Sequence, residues 1–160
     1  MRALHVPLVT LGAALAIPFL FLDGCTSKID EVQVRTVLEA VDKAANEKNP
    51  DGIVAHMASD VVVKLSVPNG GTSKTLSLDR DGYRKLLQDE FGVVQAYEFD
   101  RKSTRIKIAR DGKSAKVKSR ISEIIKNQQG SQRVYSLQTA TFEVRNGKAV
   151  MTKIESIQRT

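Results

Sequence analysis

Apolar residues recur along this chain with two different periods, and the change near residue 93 divides it. Val34, Val37, Leu38, Val41 and Ala45 fall at the three-four spacing of one buried helical face, while Glu31, Arg35, Glu39, Asp42, Lys43 and Glu47 take the other faces. The spacing predicts a helix capped by Ser27 or Asp30 and ending near Lys48, with Ser27 to Asp30 a loose capping box. Asn49-Pro50 restarts the chain as a short helix to about Met57, with Ile53, Val54 and Met57 inward. Val61 to Val67 reads as a strand, with Val61, Val63 and Leu65 on one face. Pro68 to Gly71 turns it, and Thr72 to Leu76 returns. A third helix is expected from an Asp79 cap through Phe91, with Tyr83, Leu86, Leu87 and Phe91 on one face and Gly92 ending it. Beyond it the period falls to two. Four strands follow, Val93–Ala109, Ala115–Asn127, Ser131–Val144 and Ala149–Gln158, separated by Asp111-Gly112, Gln129-Gly130 and Asn146-Gly147, which are hairpin dipeptides.

Ahead of this pattern stands a different one. Arg2 precedes an uncharged apolar run from Val6 to Leu22, interrupted by Pro18 and closed by Asp23-Gly24-Cys25. A charged start, an apolar run and small residues at its end describe a cleavable export signal. Leu22-Asp23-Gly24-Cys25 resembles the bacterial lipobox at Leu22, Gly24 and Cys25, with Asp23 standing where a small uncharged residue is usual. The resemblance implies cleavage before Cys25 and a lipid on its thiol. It also implies an exported protein anchored in the cell membrane or, since Thr26 is not Asp, the outer membrane. Cys25 is the single cysteine of the sequence, so it has no internal disulfide partner. Residues 1–24 are then the signal, 25–28 a lipidated tether, and 29–160 one domain.

Composition changes this picture in two places. The net charge is +7, and loss of Arg2 with Asp23 leaves it at +7. Aromatic residues are 5% and Trp is absent, so the core rests on Val, Ile and Leu. Export, and basic residues without interleaved stacking aromatics, argue against nucleic acid. Strand parity gathers Lys116, Lys118 and Arg120 on one face, beside Arg105 and Lys107. That face suits anionic lipid or an acidic protein, unless the excess charge serves solubility alone.

The order helix, helix, strand, hairpin, helix and four-strand meander resembles the nuclear transport factor 2-like superfamily, with its SnoaL-like and ketosteroid isomerase-like domains. The residues carrying the resemblance are Asn49-Pro50-Asp51, Leu78 to Arg84 at the third helix, and Lys153 to Ile157 in the last strand. It implies an α+β fold of cystatin-like type, a cone-shaped curved antiparallel sheet packed on three N-terminal helices. The cone holds a pocket that some members use for catalysis and others for binding or assembly. An exposed outer sheet face makes a homodimer natural by the same analogy.

Candidate chemistry is thin. Parity puts Glu123 on the apolar face of Ala115–Asn127 with Ser119 and Ile121, where desolvation would raise its pKa and tune an acid or base. The alternative is a rim Glu paired with Lys or Arg. Ser119 is a pocket-lining candidate too, and Ser136 and Gln138 either line a polar part of the pocket or bond within a wet sheet. Tyr83 and Tyr97 are pocket phenols or packing residues. His56 lies near the inward side of the second helix and is either a proton-transfer partner or a structural histidine. No metal site or cofactor is expected: the mature chain has one His and no phosphate-binding Gly-rich loop. The expected function is a membrane-anchored envelope module that binds a small apolar ligand or an envelope protein without catalysis. The alternative is a small isomerase- or dehydratase-type enzyme using Glu123 with His56 or a tyrosine.

Overall fold

A computed structural model describes residues 28–159. The lipobox-like segment, with Cys25, lies outside the described residues. Three helices, α1 (Glu31–Asn46), α2 (Pro50–Val54) and α3 (Arg80–Val93), pack on six strands. The strands are β1 (Met57–Asn69), β2 (Thr72–Leu78), β3 (Ala96–Ile108), β4 (Ser114–Asn127), β5 (Gly130–Arg145) and β6 (Lys148–Arg159). They form one sheet in the order β2-β1-β6-β5-β4-β3. The pairs are antiparallel except β1 with β6, which is parallel because the chain crosses from the β1–β2 hairpin through α3 to the far edge.

Each helix begins where a side chain accepts from a free amide. Asp30 accepts from the Gln33 amide (2.7 Å) while the Gln33 side-chain oxygen accepts from the Asp30 amide (3.1 Å), so the capping box is Asp30–Gln33; Ser27 lies outside the described residues. Asn49 and Asp79 cap α2 and α3 through the amides of Gly52 and Gly82. Two expected ends move. The second helix stops at Val54 rather than Met57, because pairing with Met151 draws Met57 into β1 and the Met151 amide donates to the His56 carbonyl (3.0 Å). Gly92 does not end α3. The helix runs through it to Val93 and ends where Val94 turns extended to enter β3. At Asn146-Gly147 both residues take positive φ (52° and 74°), the conformation a two-residue hairpin needs.

The core lies between the helices and the inner face of the sheet. Val34, Val61, Val63, Val117 and Phe142 are its most deeply buried side chains. Among the described residues its buried members run from Ile29 to Ile154. The outer edge of β3 is closed by Asn46 at the end of α1. Its amide nitrogen donates to the Phe99 carbonyl (3.0 Å) and its oxygen accepts from the Phe99 amide (2.8 Å), as a neighbouring strand would.

Candidate functional site

The concave face of the sheet does not meet the helices everywhere. A cavity of about 200 Å³ remains, walled by α1, α3 and the inner faces of β1, β3, β4, β5 and β6. Its apolar wall includes Val41, Leu87, Phe91, Ile121 and Met151. Phe91 and Tyr97 meet edge to face with ring centroids 5.1 Å apart, fixing the Tyr97 ring against α3.

Two polar groups are set into this wall. In the first, Tyr97 of β3 donates its hydroxyl to Oε1 of Glu123 in β4. Parity brings them together, since Tyr97 pairs with Ile125 and Phe99 with Glu123, so their side chains share the inner face. Loss of hydration pushes the Glu123 carboxyl above the usual carboxylate range, and the Tyr97 bond opposes that only partly. Burial, then the Glu123 charge, raises the Tyr97 and Tyr83 phenols in turn. Glu90, on α3 at the mouth, is raised by partial desolvation and by Glu123.

The second group centres on Arg101. Its guanidinium grips both oxygens of Asp42 (2.6 to 3.0 Å), donates to Oε1 of Gln138 (3.1 Å) and lies 5.4 Å from the centre of the Phe99 ring. The Arg101 side chain is only 8% exposed, so this ion pair is largely out of water. No described buried side-chain nitrogen or oxygen lacks a hydrogen-bond partner.

The cavity wall takes in Tyr83, Tyr97, Glu123, Ser136 and Gln138 from the expected set. It leaves out His56, which sits in the turn before β1; of the two partners expected for Glu123, His56 or a tyrosine, the one that meets it is Tyr97. Ser119 is buried on the inner face but away from this cavity, with its hydroxyl 3.4 Å from that of Thr104. Sequence reasoning missed Arg101 and Asp42. Asp42 follows Val41 at the margin of the apolar stripe of α1, and Arg101 precedes a β-bulge that shifts the register between Arg101 and Ser103. A charged residue at the edge of an apolar stripe was the available signal. Arg105, Lys107, Lys116, Lys118 and Arg120 all lie exposed on the opposite, outer face.

Among the described residues no cluster of three His, Cys, Asp or Glu is arranged to hold a metal, and no helix is long and apolar enough to cross a membrane.

No protein-family model matches the sequence, and no curated protein matches it. Solved structures do. One is a protein from Novosphingobium aromaticivorans provisionally named a scytalone dehydratase, with a TM-score of 0.65 at 15% identity, covering 81% of this chain and 83% of that one. A nuclear transport factor 2-like protein of unknown function from Pseudomonas putida gives 0.63 at 15% identity, over 79% and 84%. The chain has the nuclear transport factor 2-like fold. A pinacolase from Penicillium brevicompactum has it too, with a TM-score of 0.63 at 13% identity over 79% of this chain and 86% of that one. At these identities the likeness speaks for the fold alone, which serves enzymes and proteins of unknown function alike.

Proposed function

We propose that this protein is a lipid-anchored module of the bacterial cell envelope whose cone takes up one small, uncharged, largely apolar molecule. The observation that carries the reading is the closed state of the polar groups in the wall. Glu123 is engaged by Tyr97, and Arg101 by Asp42 and Gln138, inside the protein itself. What remains for a ligand is a wall of mixed character, apolar side chains such as Val41, Phe91 and Ile121 with a carboxyl and phenols at one side. At about 200 Å³ the space suits a one-ring compound.

Two experiments test the two halves. Palmitate fed to cells expressing the full chain should label the wild type and not Cys25→Ala. Unlabelled, fully soluble wild type contradicts the anchor. Phenol, as a one-ring probe, should shift the amide resonances of Leu87, Ile121 and Val134, and Ser136→Leu, which fills the cavity, should abolish those shifts. Phenol that moves none of these resonances contradicts the pocket.

A second reading is favoured by one observation, the raised pKa of Glu123. A carboxyl held above the usual carboxylate range beside a phenol is suited to proton transfer on a bound carbonyl compound. Glu123→Gln separates the readings. A binding module keeps its affinity for a neutral ring within a few-fold, whereas an enzyme of this type loses turnover with affinity retained.

A further inference from the structure

The outer face of the sheet has a design of its own. The strand register lays it out in rows that cross five strands. One row runs Lys107, Lys116, Thr141, Lys153, Val62. The next runs Arg105, Lys118, Thr139, Glu155, Lys64, and the third carries Arg120, Leu137 and Ile157. Glu155 is the one carboxylate in these rows, and Lys153 is the one cation there with an ion pair, to Glu155 at 2.8 Å. Lys107 stands directly opposite Lys116, and Arg105 opposite Lys118. Like charges facing each other across a strand pair cost stability. The fold therefore carries a penalty that an external anion would relieve.

Where the chain enters the domain gives the second observation. The Ile29 amide donates to the Gly112 carbonyl (2.7 Å), and the Lys28 side chain lies over Gly112 in the β3–β4 turn. That turn adjoins the Lys107–Lys116 row. The β5–β6 turn, with Lys148 beside it, is at the same end of the sheet, and Arg110 and Lys113 are exposed there as well. Cys25 precedes Lys28 by three residues, a reach of at most about 11 Å. A lipid on Cys25 would hold this basic end at the bilayer surface.

We infer that the outer face of the sheet, from its β3–β4 turn across the Lys107–Lys116 and Arg105–Lys118 rows, docks on an anionic phospholipid surface. The chemistry that recognises it is a layer of phosphate headgroups, which pairs with spread cations without demanding one geometry. Leu137 and Ile157, exposed in the next row, lie where they can reach past the headgroups. A second copy of the chain fits poorly, because a two-fold contact through this face would press cation rows together. Where the anchor places this face rests on the lipid-anchor reading. Its charge complementarity to lipid does not, so the test omits the anchor.

Residues 26–160 with Cys25 absent are mixed with vesicles of phosphatidylcholine containing about a third phosphatidylglycerol, and the bound fraction is measured by sedimentation. Binding is expected at low salt, falling steeply with ionic strength and absent from pure phosphatidylcholine. Each neutralised lysine should lower partitioning about fivefold, so K116Q/K118Q should lose on the order of 25-fold. K43Q/K85Q removes two helix lysines and should change it less than twofold. Thermal unfolding of both variants checks that they fold. No binding to the anionic vesicles overturns the inference. So does equal loss in the two variants, which would make net charge the cause. Capture by polyglutamate beads without vesicle binding overturns it in favour of an acidic protein. A dimer in sedimentation equilibrium that K116Q/K118Q tightens overturns it in favour of a second copy. Failure here leaves palmitate labelling and phenol binding standing, and their failure leaves this result standing.

Discussion

The two faces of one sheet are built from alternate residues of the same strands, yet they solve opposite problems. On the inner face, charge is brought in and satisfied within the protein: Arg101 by Asp42 and Gln138, Glu123 by Tyr97. On the outer face, cations are set beside cations and left to the solvent. In β4 the alternation is literal, with Ala115, Val117, Ser119 and Ile121 buried and Lys116, Lys118 and Arg120 exposed. The inner face closes on itself around a small space. The outer face gains from whatever brings negative charge to it. A polar group inside costs free energy unless paired, whereas outside it costs little alone and works through numbers.

The comparison breaks most visibly through size. Phe142→Ala, on the inner face and fully buried, should lower unfolding free energy by about 3–5 kcal/mol in urea titration. Leu137→Ala, earlier in the same strand on the outer face and 36% exposed, should stay within about 0.5 kcal/mol. Comparable losses would mean that the outer face is also packed against something in the isolated domain.

Next comes the buried ion pair. Arg101→Met strands Asp42 in a setting only 24% exposed and should cost about 3 kcal/mol. Asp42→Asn together with Arg101→Met should recover most of it, which distinguishes lost pairing from lost packing. A double variant as unstable as Arg101→Met alone would show that the arginine acts through its contacts with Phe99 and the wall.

Glu123 sharpens the comparison through pH. Its folded-state pKa is raised, so the native state holds the proton more tightly than the unfolded chain does. That contribution is complete below the ordinary carboxylate pKa and is lost as pH rises through the folded value. Stability should therefore fall across that window in the wild type and fall less in Glu123→Gln. An identical pH profile in both would place Glu123 in bulk-like water. The smallest effect belongs outside. Lys118→Thr removes a like charge opposite Arg105 and should stabilise by about 0.2–1 kcal/mol at low salt, a gain that added salt erases.

Much of this contrast is legible in the sequence, because period two in β4 and β5 assigns faces without any knowledge of the partner strands. Glu123 on an apolar face and the basic set on the other come from that alone. Capping residues mark the helix starts well: Asn49 and Asp79 act as read, and Asp30, one of the two caps expected for the first helix, caps it. What escaped depended on distance along the chain. Met57 left the helix pattern for a strand because Met151, almost a hundred residues away, pairs with it. Arg101 and Asp42 are joined across 59 positions by a bulge that local periodicity does not register. His56 fits the inward side of a helix that ends two residues earlier.

Whether the inner face is a ligand site with a desolvated carboxyl at its polar side can be read from one residue. The Glu123 carboxyl carbon should be titrated by NMR, with and without phenol, in wild type and Tyr97→Phe. We expect a midpoint above the ordinary glutamate range, higher still in Tyr97→Phe because the hydroxyl favours the carboxylate, and displaced by phenol. A midpoint in the ordinary range, indifferent to both the Tyr97 hydroxyl and phenol, would contradict it.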